Sequence, residues 1–181
     1  MTAADSIRLL TKDDLEPYVA HVLAHDRESG AAGEPPSSPY SRNRQQDPAE
    51  LRQRTLERWS TPLSEIGWRR AWGLWAGSNI VGSVHLGGAA IESSLHRAEL
   101  GIGIRRDFRG RGWGRKLMDA ALDWARAEPR IAWVDLGVFE GNQVAYDLYI
   151  KLGFVERGRA VDRFRVDEFV ITDIEMSLRV G

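Results

Sequence analysis

The stretch "FRGRGWGRKLMDAALDWA", Phe108 to Ala125, decides the fold because glycines and arginines alternate immediately before an apolar segment with helical periodicity. We expect this helix to begin near Gly112 or Trp113 and to run to about Glu128, where the next residue is a proline. The first amides of a helix have no partner within it, and the helix dipole adds partial positive charge there. The stretch therefore predicts an anion site.

The residues before the helix fit such a site. Gly110, Gly112 and Gly114 leave the backbone open to a ligand, and Arg109, Arg111 and Arg115 add charge at its rim. Glycines at a helix N-terminus next to cationic side chains are typical of a phosphate or pyrophosphate cradle.

Two common phosphate motifs are absent. The Walker pattern G-x-x-x-x-G-K-[ST] does not occur, and Gly101-x-Gly103 lacks the third glycine of a dinucleotide fingerprint. ATP and NAD are therefore weak candidates. A glycine-arginine tract that binds RNA is also disfavoured, because the stretch is short and continues into a well-patterned helix.

Composition limits the other classes. A length of 181 residues favours one domain, and a formal net charge of -1 disfavours a general nucleic-acid binder. There is no cysteine, which excludes disulfides, thiolate metal ligands and a cysteinyl acyl-enzyme. The N-terminus lacks the pattern of a signal peptide, and no apolar run approaches the ~18 residues of a membrane span. We expect a cytoplasmic protein without a metal.

The elements alternate between strands and helices. "SIRLL" predicts a strand, a helix follows with Thr11 and Asp14 as a capping box, and Asp47-Pro48 begins a second helix after a polar loop. "AWGLWAGSNIVGSVHLGG" predicts a hairpin, and "HRAELGIGI" and "IAWVDLGVF" predict strands. "NQVAYDLYIKLG" predicts a helix from Asn142 to Gly153, and two strands that turn near Asp167 end the chain. This order predicts an α+β fold around one mixed sheet.

Two motifs in this order resemble the Gcn5-related N-acetyltransferase (GNAT) family. "RGRGWG", Arg109 to Gly114, matches the signature R-x-x-G-x-G, and "NQVAYDLYIKLGFVERG", Asn142 to Gly158, is similar to the family's N-x-x-A-x-x-L-Y-x-K-x-G-F segment. The resemblance implies a mostly antiparallel sheet of about seven strands flanked by about four helices. It also implies one domain over residues 1–181, with a variable acceptor-side part at 1–70 and an acetyl-CoA-binding core at 71–181.

The resemblance further implies that acetyl-CoA is the co-substrate and that its pantetheine arm pairs with the strand before the arginine-glycine turn. The pyrophosphate would lie on the amides of residues 110–115. The residues implied in binding are Leu100, Ile102, Gly103, Ile104, Arg109, Gly110, Arg111, Gly112, Trp113, Gly114, Arg115, Asn142 and Tyr149.

The implied chemistry is direct acetyl transfer to a primary amine. Tyr149 matches the family tyrosine that protonates the departing thiolate, whereas Tyr146 falls off the motif. Glu99 is the first candidate for the general base, because its face of the strand points away from the apolar stripe; a salt bridge to Arg97 or to an arginine on a neighbouring strand is the alternative. His85 is the second candidate, since imidazole titrates near neutrality. Some members of the family need no dedicated base.

The acceptor stays open at this stage. A small amine or amino acid is expected, with a protein N-terminus or lysine as an alternative, and the acids Asp162, Asp167, Glu168 and Asp173 could attract a cationic acceptor. Residues 34–47 and the C-terminal hairpin would border the acceptor side.

A non-catalytic acyl-CoA-binding module is the alternative function from another class of protein. The family often forms homodimers, so a homodimer is possible, and neither nucleic acid nor a membrane is expected as a partner.

Overall fold

A computed structural model of the chain describes residues 6–31, 33–34, 36–41 and 43–181. The first five residues, part of the segment in which no leader peptide is expected, lie outside the described residues. So do Ala32, Pro35 and Arg42 of the predicted polar loop.

One seven-stranded sheet runs through the molecule in the order β1-β2-β3-β4-β5-β7-β6. Only β4 and β5 are parallel neighbours; all the other pairs are antiparallel. The α+β class with a mixed, mostly antiparallel sheet is confirmed. The strands are β1 Ser6–Leu9, β2 Arg69–Ala76, β3 Asn79–Gly88, β4 Arg97–Ile104, β5 Trp133–Phe139, β6 Val155–Val166 and β7 Phe169–Arg179, and the α-helices are α1 Leu15–Glu28, α2 Pro48–Ser60, α3 Trp113–Ala127 and α4 Gln143–Lys151.

The predicted helix boundaries are confirmed at three of the four α-helices. Asp47 caps α2 by accepting from the Ala49 amide at 2.8 Å, and α3 begins at Trp113 as expected. The first helix differs. Thr11 and Asp14 form the predicted capping box, but it encloses a single 3₁₀ turn, and the α-helix itself begins only at Leu15. The Asp14 carboxylate also binds Arg8 at 2.6 Å, which ties this turn to β1.

The main core lies between the sheet and α3. Leu117, Met118, Ala121, Leu122 and Ala125 are fully buried on one face of α3, as the helical periodicity predicts. Trp124, on the same helix, is partly buried and packs its ring 5.6 Å from that of Trp72. The buried face and this ring contact hold α3 against the sheet.

The opposite face of the sheet, which α1 and α2 cover, carries polar residues beside a small apolar cluster centred on Tyr18, Ala71 and Ile80. Two rows of residues run across β2, β3 and β4 on that face: Arg69–Gly87–Glu99 and Ala71–His85–Gly101. The strict alternation of a strand puts these residues on the other side from Leu100 and Ile102.

Strands β4 and β5 separate after a short parallel contact. They pair only from Arg97↔Trp133 to Glu99↔Asp135, and beyond that point β4 stays with β3 while β5 stays with β7. The two strands therefore separate after the pair Glu99↔Asp135, and this separation leaves their facing edges unpaired with each other. It opens the sheet beside α3 and α4.

Candidate active site

A cavity of ≈ 480 Å³ lies where the two strands separate. Its walls come from the end of β4, the turn before α3, the end of β5 and the first turns of α4. All the residues that the sequence placed at the co-substrate line it except Arg111. The other residues that line the cavity are Ser37, Gly101, Phe108, Gly137, Val138, Phe139, Val144, Ala145 and Leu148.

The N-terminus of α3 opens into this cavity. Its N-cap, Gly112, has φ +78° and ψ 0°, a left-handed conformation that favours glycine, and no side chain caps the helix. Gly110 has φ +73°, and no heavy atom lies within 4 Å of the position where a Cβ would sit at either glycine. Among the described residues, the amides of Trp113 and Gly114 thus have neither an intrahelical nor a side-chain partner, which suits an anion.

The three arginines around this turn have different environments. Arg109 donates from Nε to the Ile104 carbonyl at 2.9 Å and from Nη1 to Glu34 at 3.1 Å. Arg115 forms an exposed pair with Asp119 one helical turn away. Arg111 donates to the Asp107 carbonyl at 2.8 Å, and its side chain does not line the cavity. Arg109 and Arg115 are therefore the rim cations closest to a ligand at the amides.

The cavity side of β4 carries free backbone groups. The Arg105 amide bonds the Val81 carbonyl at 2.9 Å, so this residue directs its backbone groups toward β3. The backbone groups of successive residues in a strand point to opposite edges. The N–H and C=O groups of Leu100, Ile102 and Ile104 therefore point toward the open edge. The bond from Arg109 to the Ile104 carbonyl agrees with this direction. An extended ligand could add to this edge as a strand does.

Tyr149 points into the cavity from α4. Its side chain is 6% exposed, and its ring packs 5.9 Å from that of Phe154. Burial raises the pKa of its hydroxyl to about 12, and that hydroxyl has no hydrogen bond to any residue that the structure describes. Tyr149 is thus a protonated donor with no partner. Tyr146 instead donates to Glu156 at 2.9 Å outside the cavity.

Asn142 begins α4 at the mouth of the cavity. Its side chain accepts from the Ala145 amide at 3.3 Å, which confirms the predicted cap. The residue also lines the cavity, so capping and ligand contact are compatible.

Glu99 lies at the point where β4 and β5 part. Its side chain is exposed and, among the described residues, makes no hydrogen bond or ion pair. The alternative salt bridge to Arg97 is absent, because Arg97 pairs with Asp135 on the neighbouring strand. Glu99 shares a polar cavity with Asp173 and Glu175, on the side of the sheet away from α3.

His85 lies beside Glu99 on the same face. Its ring is so close to Gly101 that a Cβ there would be 2.5 Å from His85 Cε1. Burial, followed by the charges of Arg69 and Arg58, lowers the pKa of His85 to about 3. The imidazole is therefore neutral and a weak base at physiological pH.

The acidic residues suggested for the acceptor side are dispersed. Asp162 pairs with Arg165, Asp167 accepts a hydrogen bond from Ser41 at 2.6 Å, and Asp173 is nearly buried against Gly137. Only Asp173 shares a cavity with Glu99, and burial raises the pKa of its carboxyl group.

Sequence reasoning missed the residues that α1 and α2 bring to this face. His21 is hydrogen-bonded to Ser83 at 3.1 Å, and His25 covers Gly103 so closely that a Cβ there would meet its ring at 2.7 Å. Arg54 and Arg58 lie in one cavity with His85. The sequence did indicate that Arg54 and Arg58 lie together, because an i, i+4 spacing on a predicted helix places both on one helix face.

Comparisons with known proteins agree with this geometry. The family model described as "Acetyltransferase (GNAT) family" matches residues 36–154. Spermidine N(1)-acetyltransferase of Vibrio cholerae serotype O1 is 35% identical over 94 residues, 51% of this chain and 52% of the relative. The alignment thus spans about half the length of that curated relative.

Solved structures share the fold. A GNAT-family acetyltransferase from Streptococcus pneumoniae has a TM-score of 0.80 at 21% identity, over 98% of this chain and 99% of its own. A putative acetyltransferase from Salmonella typhimurium, solved with its cofactor acetyl-CoA, has a TM-score of 0.79 at 17% identity, over 99% and 95%.

The fold and the cavity define an acyltransferase class of protein, and the match over residues 36–154 makes the assignment specific. The chain belongs to the GNAT acetyltransferase family. Among the described residues, no helix is long and apolar enough to cross a membrane, and no group of three His, Asp or Glu side chains is arranged to hold a metal ion.

The depressed pKa of His85 gives a testable pH dependence. The unfolded chain binds a proton at this histidine below the ordinary pKa of 6.5, whereas the folded protein does so only near 3, so stability is lost as pH falls between these values. When the pH falls from 7.5 to 4.5, the unfolding free energy of the unmodified protein should decrease by roughly 2–3 kcal/mol more than that of the His85→Gln variant. Urea denaturation at both pH values measures this; equal losses would show that His85 titrates normally in the fold.

Proposed function

We propose that this protein is an acetyl-CoA-dependent N-acetyltransferase that acetylates a primary amine by direct attack while both substrates are bound. The observation that carries the proposal is the cavity between β4 and β5, which combines an open strand edge, an uncapped helix N-terminus and a protonated tyrosine. We propose that the whole chain acts as one domain, with the acceptor side formed largely by residues 1–70 and the co-substrate side by 71–181.

The residues around the cavity fit acetyl-CoA. The amides of the Gly110–Arg115 turn would hold the pyrophosphate, with Arg109 and Arg115 at its rim. Arg109 would exchange its exposed pair with Glu34 for the phosphate. The open edge of β4 at Leu100 and Ile102 would hydrogen-bond the amide groups of the pantetheine arm. When bound, the co-substrate supplies an activated acetyl thioester.

The transfer needs one bond to form and one to break. The neutral amine nitrogen bonds to the acetyl carbon, the carbon–sulfur bond breaks with its electron pair on sulfur, and the amine loses a proton. Backbone N–H groups on the open edge of β4 would stabilise the negative charge on the carbonyl oxygen. Tyr149 would donate its proton, or a hydrogen bond, to the departing sulfur.

Glu99 is the proposed acceptor of the amine proton, directly or through a water molecule. It is exposed, has no partner among the described residues, and lies where the two strands part. His85 is the weaker candidate for this role because its pKa of about 3 makes its imidazole a poor base. We propose that His85 acts instead as a neutral hydrogen-bonding group beside the amine.

The acceptor class proposed here is a small amine. The Vibrio cholerae relative is named for spermidine, an amine, and supports N-acetylation in general. The cavity lined by Glu99 has a volume of ≈ 420 Å³ and the cavity lined by His85 one of ≈ 320 Å³, sizes that suit a small molecule.

The direct test combines binding with turnover. Acetyl-CoA at about a hundred times its Kd should stabilise the fold by about 2.7 kcal/mol, whereas ATP and NAD should not. A panel of amines should then release thiol from acetyl-CoA. Binding without amine-dependent thiol release would identify a non-catalytic acyl-CoA-binding module, and a shift with ATP or NAD alone would refute the assignment of the cavity.

Tyr149→Phe should lower kcat by roughly 10- to 1000-fold because it removes the proposed donor to sulfur. The Kd of acetyl-CoA should change little, since the ring stays. Tyr146→Phe is the matched control on the same helix, and it should keep kcat because its hydroxyl binds Glu156 outside the cavity. Equal kcat values for the Tyr149 variant and the unmodified enzyme would remove Tyr149 from the chemistry.

Glu99→Gln should lower kcat/KM at neutral pH by roughly 10- to 100-fold, because a carboxamide cannot accept the amine proton. The deficit should shrink as pH rises toward the ordinary alkylamine pKa of about 10, where the acceptor is already neutral. The exposed Glu92→Gln variant serves as control. A deficit that stays constant across the pH profile would indicate a structural role for Glu99.

A further inference from the structure

A second cavity, of ≈ 320 Å³, lies between α1, α2 and the polar face of the sheet. We call it the arginine pocket. Its described lining is Tyr18, Val22, Asp26, Tyr40, Arg44, Gln46, Leu51, Arg54, Thr55, Arg58, Arg69 and His85.

The charge of the arginine pocket is unbalanced. Its described lining holds four arginines but only one carboxylate, that of Asp26. Burial raises the pKa of Asp26, which weakens its negative charge further. None of the four arginines lies within ion-pair distance of an acidic side chain in the described part of the chain, although most of the protein's other arginines do.

Arg58 is partly buried and lies close to the positive charge of Arg69. Burial lowers the pKa of Arg58, and the neighbouring charges of Arg69 and Arg54 lower it further. Arg69 Nε is buried and has no hydrogen-bond partner among the described residues, although the Arg69 side chain also interacts with the Tyr18 hydroxyl. Buried donors on a cation are costly unless an anion or another acceptor meets them. Arg44 and Arg54 are exposed, so the buried end of the pocket, at Arg58 and Arg69, is where an anionic group would gain most.

The arginine pocket adjoins the proposed reaction centre. Arg69 shares a register row with Gly87 and Glu99, and its Nε lies 3.9 Å from the position of a Cβ on Gly87, so its side chain extends along β3 toward β4. His85 lines the arginine pocket and touches Gly101, which lines the cavity between β4 and β5. Arg69 and Glu99 thus lie on one face of the sheet with only Gly87 between them in the register row.

We propose that the arginine pocket binds the oxyanion of the acceptor, so that the preferred acceptor is a small amine that also carries a carboxylate or phosphonate group. This inference rests on the proposed N-acetyltransferase function and deepens it. Arg58 and Arg69 hold the anionic group, which directs the amine toward Glu99. Arginine suits this role because its planar donors match the oxygens of a carboxylate or phosphonate.

The same charges disfavour a polyamine. Spermidine carries several positive charges at neutral pH and would meet four arginines in this pocket. Its binding would add repulsion to the desolvation of its ammonium groups. The relative that acts on spermidine aligns with only 51% of this chain, so its acceptor need not be shared.

The kinetic test compares acceptors that differ only in the anionic group. The common amino acids are assayed against their amides, 2-aminoethylphosphonate against 2-aminoethanol, and spermidine alongside, all by thiol release from acetyl-CoA. At least one anionic amine should exceed its neutral counterpart by about tenfold or more in kcat/KM, the scale of one charged hydrogen bond. The carboxylate and phosphonate arms show which oxyanion is preferred. Higher kcat/KM for spermidine or the neutral partners would overturn the proposal.

Variants assign the effect to the pocket. Arg58→Gln and Arg69→Gln should raise KM for the best anionic amine by about tenfold or more while leaving the Kd of acetyl-CoA unchanged. Arg58→Lys keeps the charge and should recover part of the loss. Arg52→Gln is the matched control on α2, because Arg52 pairs with Glu16 outside the pocket. Unchanged KM in folded Arg58 and Arg69 variants would contradict the inference.

A binding measurement separates this inference from the proposed function. The His85 ring resonance, assigned with His85→Gln, should shift when 2-aminoethylphosphonate or an amino acid binds, and Arg58→Gln should weaken that shift. This readout needs no acetyl transfer. If acetyl-CoA neither binds nor reacts, the proposed function fails whatever the NMR result. If acetyl transfer occurs but no anionic amine moves the His85 resonance, only the assignment of the arginine pocket fails.

Discussion

The parting of β4 and β5 is the constraint on which the site depends. Two parallel strands that pair over only three residues leave facing rows of backbone donors and acceptors beyond that point. Such groups need partners, and in a sheet they normally find them on the next strand. Here β5 pairs with β7 and β4 pairs with β3. The edges of β4 and β5 that face each other therefore remain available to water or to an extended ligand. The strands therefore form a cavity between them while the apolar core of the sheet stays buried.

The packing of α3 makes this opening rigid. Its buried stripe, with Leu117 and Leu122 at its centre, holds the helix against the apolar face of the sheet. The helix N-terminus is then fixed beside the open edge of β4, and Gly112 lets the chain turn into it in a left-handed conformation. A positively polarised helix end and a free strand edge therefore border one space. Neither element would bind a long anionic ligand as well alone.

The two faces of β4 differ in charge and border different parts of the proposed active site. On the α3 side, the strand supplies apolar residues and an edge for the co-substrate. On the α1 side, it supplies Glu99 and two glycines, over which His85 and His25 fit closely. Burial and then the charges of Arg69 and Arg58 lower the pKa of His85, and the arginines from α2 and β2 would favour the proposed anionic acceptor on that side. Alternation along a single strand thus separates the two proposed substrates.

The sequence by itself determined the order of elements, the start of α3 and most of the co-substrate side, because these rest on local rules: helical periodicity, glycine conformation, caps and a contiguous motif. It also indicated Tyr149 and Glu99 as candidates through position on one helix and one strand. Only the tertiary structure decided that Arg97 pairs with Asp135 rather than Glu99, that Arg111 lies outside the cavity, and that Arg58 meets Arg69 beside His85. Apart from the local bond of Arg111 to Asp107, those relations join residues that are distant in the chain, and no local pattern encodes which charges burial and folding bring together.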